Sequence, residues 1–136
     1  MLARLRRHVD NNVPEAVSLL GTAYSNPNYG LVKSHKKALK LYQRAAELGD
    51  VHSWGLLGNY YYHGCGVKSD RKKTARFYRM GADGGDAHAQ QNLAWCYENG
   101  VGVPQDLDEA KRFYALAAAQ GIDDAKEALQ RFSNAP

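Results

Sequence analysis

A chain of 136 residues with 44% hydrophobic content is one domain by length, with enough apolar side chains for a core spread along it. No apolar run approaches the roughly 18 residues of a membrane span. The start, MLARLRRHVDNNVPEA, lacks the apolar stretch and cleavage site of a signal peptide, and the net charge of +4 is modest, so a soluble protein with an ordinary solvated surface is expected.

Residues 1–13 set Leu2, Leu5 and Val9 on one helical face and predict a lead-in helix. Pro14 suits the first turn of the next helix, where its missing N–H is no loss. From there the sequence repeats. Tyr61, Gly64, Gly66, Phe77, Tyr78 and Gly85 return as Tyr97, Gly100, Gly102, Phe113, Tyr114 and Gly121 at an offset of 36, and Gly49 stands 36 before Gly85. A fixed period of this size marks a solenoid. The single solenoid domain divides into repeats 14–49, 50–85 and 86–121, closed by a half repeat at 122–136.

The first helix of each repeat carries Ala16, Leu20 and Tyr24, then Ser53, Leu57 and Tyr61, then Ala89, Leu93 and Tyr97. Gly21, Gly58 and Ala94 follow the leucines, and a small residue there lets a neighbouring helix come close. Glycine-bearing loops follow, SNPNYGLVKS, HGCGVKS and NGVGVPQ, the first one residue longer. Glycines two apart supply the positive φ that a tight reversal needs. The second helices open at N-cap residues Ser34, Asp70 and Asp106. Their buried stripes are Ala38, Leu41, Tyr42 and Ala45; Thr74, Phe77, Tyr78 and Gly81; Ala110, Phe113, Tyr114 and Ala117. Gly49, Gly85 and Gly121 end them. Gly81 inside a helix predicts either close packing or fraying. In the half repeat, Ala125 and Leu129 match Ala89 and Leu93, the tyrosine position is Ser133, and Phe132 is expected to fold inward.

These residues resemble the Sel-one-like repeat family, a relative of the tetratricopeptide repeats. Its pattern is met by Ala89, Leu93, Tyr97, Gly100, Gly102, Val103, Asp106, Ala110, Phe113, Tyr114, Ala117, Ala118 and Gly121. The resemblance covers about residues 14–132, with Ala94, Thr74, Gly81 and the longer first loop as departures. It implies an all-α, right-handed superhelical solenoid of antiparallel helix pairs, seven or eight helices long. It also implies an adaptor that holds protein partners. A penicillin-binding branch of the family has a regular cysteine pair in each repeat, which this chain lacks.

Opposite the Ala-Leu-Tyr face of each first helix lie Ser18, Thr22 and Ser25; Gly55, Asn59 and Tyr62; Gln91, Trp95 and Glu98. In a helix-pair superhelix these positions form a concave groove. Exposed Trp and Tyr among amides have the composition of a peptide-binding hot spot. Trp95 and Tyr62 either line that groove or tuck against the next repeat. On the outer face of the second helices, Lys36, Lys40, Lys72, Lys73 and Arg76 form a basic convex patch, which is an ordinary solvated face or meets acidic protein, phospholipid or nucleic acid. Without interleaved aromatics it is a poor nucleic-acid site.

Cys65 and Cys96 fall at different places in their repeats, so both are expected as free thiols in a reducing compartment, the cytoplasm. His52 and His88 share a column with Glu15 and Asp124, too widely spaced to hold one metal ion. No motif pairs a nucleophile with a base. The expectation is a non-enzymatic interaction module without cofactor or metal, presenting a groove to a peptide or protein. A spacer or regulatory segment of a larger protein is the alternative, and the chain is either a monomer or a weak homodimer through the solenoid ends.

Overall fold

The computed structural model describes residues 2–134 as eight helices, with no strand among them. They are α1 (Leu2–Asp10), α2 (Pro14–Ser25), α3 (His35–Glu47), α4 (Val51–His63), α5 (Arg71–Asp83), α6 (Ala87–Asn99), α7 (Leu107–Ala119) and α8 (Asp123–Asn134). A single 3-10 turn at Pro27–Tyr29 fills the longer first loop. The pairs α2/α3, α4/α5 and α6/α7 are the three repeats.

Each pair is closed by one residue with two tasks. The side chains of Ser34, Asp70 and Asp106 accept the backbone N–H of Lys37, Lys73 and Glu109 at 3.2, 3.0 and 3.1 Å, which satisfies an N–H that the helix start leaves unpaired. Their own amides donate to the carbonyls of Tyr24, Tyr61 and Tyr97 at 2.9 Å. The start of each second helix is thereby tied to the end of the first.

The second helices end alike. The amides of Asp50, Asp86 and Ile122 donate back to the carbonyls of Ala45, Gly81 and Ala117, with Gly49, Gly85 and Gly121 at positive φ between. The same bond, from Val13 to His8 at 3.0 Å, closes α1, with Asn12 at φ 58 in the glycine's place. The lead-in helix therefore ends as the second helices do. It covers α2 with Leu5 and Val9, as α3 covers α4.

Packing follows the small residues. A Cβ at Gly58 would overlap the Tyr78 ring, and one at Gly21 would lie 2.9 Å from the Tyr42 ring. Tyr42 and Tyr78 thus lie across glycines of the first helices of their repeats. A Cβ at Gly81 would come within 2.7 Å of the Ala89 Cβ, which makes the departure a close approach between α5 and α6 and not a frayed turn. Thr74, where Ala38 and Ala110 stand in the other repeats, is fully buried, and its hydroxyl donates to the Asp70 carbonyl at 2.9 Å. At the far end Phe132 folds inward against Tyr114, ring centres 6.2 Å apart. Leu129 is only half-buried, unlike Leu93, because none of the described helices covers it as α7 covers Leu93.

Both cysteines are free. Cys96 is buried, and burial pushes its thiol up to about 12, whereas Cys65 is partly exposed in the second loop. A thiolate is the reactive form. One thiol is expected to react with a disulfide reagent in native buffer and the second only on unfolding; two fast thiols would place Cys96 at the surface.

Candidate partner-binding groove

The first helices lie side by side along one wall of the stack. α4 packs on α6 as well as on α5, and the near contact is Gly55, whose added Cβ would sit 3.8 Å from that of Ala89. Gly55, expected on the groove, is therefore buried. At that distance a methyl group would make only ordinary contact, so Gly55 is buried by the approach of α6 and not by its own lack of a side chain.

One step further along the same helices, Tyr62 meets Trp95 edge to face, with ring centres 5.5 Å apart and planes at 87°. Both rings are half-buried, so they pack on each other and still show a face to solvent. His63 closes on the Tyr62 ring at 5.1 Å and the Arg71 guanidinium stands 5.8 Å from it. These contacts hold Tyr62 in one orientation. A rigid aromatic step of this kind offers contact area at low entropic cost.

The floor of the wall is built by hydroxyls that face-spacing alone does not reveal. Tyr42, Tyr78 and Tyr114 are buried, yet each reaches through its own repeat to a residue expected on the groove. The Tyr42 hydroxyl pairs with Thr22 at 3.0 Å, Tyr78 donates to the Asn59 carbonyl oxygen, and Tyr114 donates to Glu98 at 2.8 Å. Thr22 and Asn59 directly follow the glycines that the tyrosines cross. In the third repeat that place is Trp95, whose indole offers no acceptor. The bond moves about one turn on, to Glu98. The signal available in the sequence was the pairing of a tyrosine with a small polar residue after each glycine.

The predicted site residues thus divide. Asn59, Gln91, Tyr62 and Trp95 lie together, half-exposed, on α4 and α6. Ser18 and Thr22 are also half-exposed on α2, but the Thr22 hydroxyl is engaged with Tyr42 and with the Ser18 carbonyl, and Ser25 bonds the Thr22 carbonyl at 2.9 Å. Glu98 is held by Arg131 at 3.0 Å as well as by Tyr114. Its burial raises the carboxyl pKa, but the hydrogen bonds from Arg131 and Tyr114 outweigh this and leave it below the usual range. Glu98 staples α8 to α6 and α7. On the outer face Lys36, Lys40, Lys72 and Arg76 are exposed, and the half-buried Lys73 sets its ammonium 5.2 Å from the centre of the Tyr61 ring.

The histidine column is also a contact between first helices. His52 Nδ1 lies 3.2 Å from Asp86, whose other oxygen caps α6 at the Ala89 amide, and the His52 and His88 rings are 6.3 Å apart. The hydrogen bond to Asp86 raises the His52 pKa above 6.5, and the same bond lowers that of Asp86 below 3.8. Stability from protonated His52 is complete below its unfolded value and is lost as pH rises through the raised folded one. That from Asp86 is lost as pH falls through its depressed value. Because His52 is half-exposed, the pair contributes under about 1 kcal/mol. His52→Gln is expected to flatten the decline in melting temperature from mildly acidic to mildly alkaline buffer. An unchanged slope would show that the pair contributes nothing.

A solenoid of antiparallel helix pairs, with half-exposed aromatics meeting across α4 and α6, defines a helical-repeat protein. The chain belongs to the Sel1 repeat family, whose model matches residues 14–50, 56–86 and 87–122. It is similar to the Sel1 repeat protein from Oxalobacter formigenes, with 36% identity and a TM-score of 0.86 over 92% of this chain and 49% of that one. It is also similar to c5321, a protective antigen present in uropathogenic Escherichia coli strains that displays an SLR fold, with 31% identity and a TM-score of 0.85 over 92% of this chain and 27% of that one. The chain thus spans half or less of the length of these two proteins. Helicobacter pylori cysteine rich protein B shares the fold at 22% identity and a TM-score of 0.72, over 93% and 95% of the two chains. No curated protein matches the chain. No helix among the described residues is long and apolar enough to cross a membrane.

Proposed function

We propose that the chain is a non-enzymatic scaffold in which α4 and α6 present a preformed groove to a peptide segment of a protein partner. The observation that carries this reading is the Tyr62–Trp95 step, held edge to face and half-exposed, with Asn59 and Gln91 beside it. Asn59 accepts from Tyr78 through its oxygen, which turns its amide N–H groups outward as donors for a peptide carbonyl. Because the wall is built before the partner arrives, the partner bears most of the ordering entropy. Two free cysteines agree with a reducing compartment, and we place the protein in the cytoplasm.

The test is affinity capture from the native cell with wild type and Tyr62→Ala/Trp95→Ala, partners identified by mass spectrometry. A protein retained by the wild type and lost from the variant, with the melt near that of wild type, supports the groove. Equal recovery by both would leave the chain as a spacer.

A further inference from the structure

We propose a second interaction surface, on the outer side of α3 and α5, that docks an acidic protein segment through its carboxylates and one apolar side chain. Residues 33–79 hold eleven of the eighteen lysines and arginines against three carboxylates, while residues 80–136 hold four against nine. Among the described residues none of those eleven cations forms a salt bridge, whereas Arg112, Lys126 and Arg131 each do. The surplus is therefore concentrated and unneutralised.

Its layout follows the repeat. Lys36, Lys37 and Lys40 of α3 recur as Lys72, Lys73 and Arg76 of α5, and the same places on α7 are Asp108, Glu109 and Arg112. Cations in the first turn of a helix oppose its dipole, so α3 and α5 gain no stability from them there. The loop carrying Lys68 lies on the first turn of α3, where a Cβ at Gly66 would stand 2.8 Å from the Lys36 amide. The two clusters thus join into one electropositive edge that ends where α7 begins. Lys37 and Lys73 are steered by the rings beneath them, Tyr24 at 5.3 Å and Tyr61 at 5.2 Å.

The class of anion follows from what adjoins the edge. Lys37, Lys40 and Arg44 rim a pocket of about 320 Å³ whose floor is Val9, Leu20, Tyr24 and Leu41. An apolar hollow within a basic rim fits a leucine or phenylalanine flanked by carboxylates. A nucleic acid calls for exposed rings on which bases stack. Tyr61 and Phe77, beneath Lys73 and Arg76, are buried.

The experiment measures binding of a short fluorescent peptide with glutamate at every third position and one central leucine. Its counterparts replace leucine by alanine or glutamate by glutamine. Wild type is compared with Lys36→Gln/Lys40→Gln/Lys72→Gln, with a control of equal charge loss, Arg6→Gln/Lys111→Gln/Lys126→Gln, and with Leu41→Phe. The last fills the pocket with the residue that stands there in the other repeats, so the fold is kept; thermal melts verify all variants. Expected are salt-sensitive binding, a loss of about tenfold or more in the first variant and little in the control. Leu41→Phe is expected to abolish the preference for leucine over alanine. Equal binding by the first variant and the control overturns the edge. No preference for leucine in the wild type, or tighter binding of phosphatidylserine vesicles or an oligonucleotide than of the peptide, overturns the choice of a protein segment.

Discussion

Gly102→Ala is expected to destabilise the fold by more than about 3 kcal/mol, while Gly100→Ala, two residues away and at nearly the same φ, costs about 1 kcal/mol. Both glycines have left-handed backbone, φ 67 at Gly100 and 70 at Gly102. An alanine at either pays that conformational penalty. What differs is the space around them. A Cβ at Gly100 meets nothing nearer than 3.6 Å, but one at Gly102 would overlap the Arg71 carbonyl oxygen and stand 2.8 Å from its carbon. The obstacle is backbone, which cannot swing aside, so the third loop would have to lift off α5. Urea melts of the two variants measure the difference directly. Equal losses would mean that the loop does not rest on α5.

Leu93→Ala is expected to cost about 2 to 5 kcal/mol, and Leu57→Ala a similar amount, because both side chains are fully buried between helices that cannot collapse into the space left behind. Leu129 stands at the same place in the half repeat but is only half-buried, so Leu129→Ala should cost about 1 kcal/mol. Melts of the three variants under one set of conditions test this ordering. A loss at Leu129 equal to that at Leu93 would mean that the last helix is covered more deeply than the structure shows.

The period of 36 and the small-large-aromatic order within it were enough to place every first and second helix and to name the three N-caps, because both express short-range rules: helical spacing and capping chemistry. The relations that the sequence did not disclose are between elements. Gly55 lies opposite the Leu57 face of its own helix, and that spacing put it on the groove; the neighbouring first helix occupies the place instead. The second-helix tyrosines read as core, and they are buried, but their length carries the hydroxyls through to Thr22, Asn59 and Glu98. The ending of α1 was hidden by one residue. Asn12 replaces the glycine that ends the second helices, and asparagine is among the few residues that adopt that backbone readily. Trp95 and Tyr62 were left between two roles, and the geometry shows each ring partly packed and partly open.

The second loop glycine has a bearing on how such chains lengthen. Gly66 lies on the first turn of α3 and Gly102 on that of α5, so the joint between neighbouring repeats is carried by the downstream member, while Gly30 of the first repeat has open space around it. A tandem copy of 36 residues therefore arrives with the fitting that seats it on its predecessor. Growth by duplication needs no new interface to arise, and a unit that loses this glycine can begin a stack but cannot be seated on another.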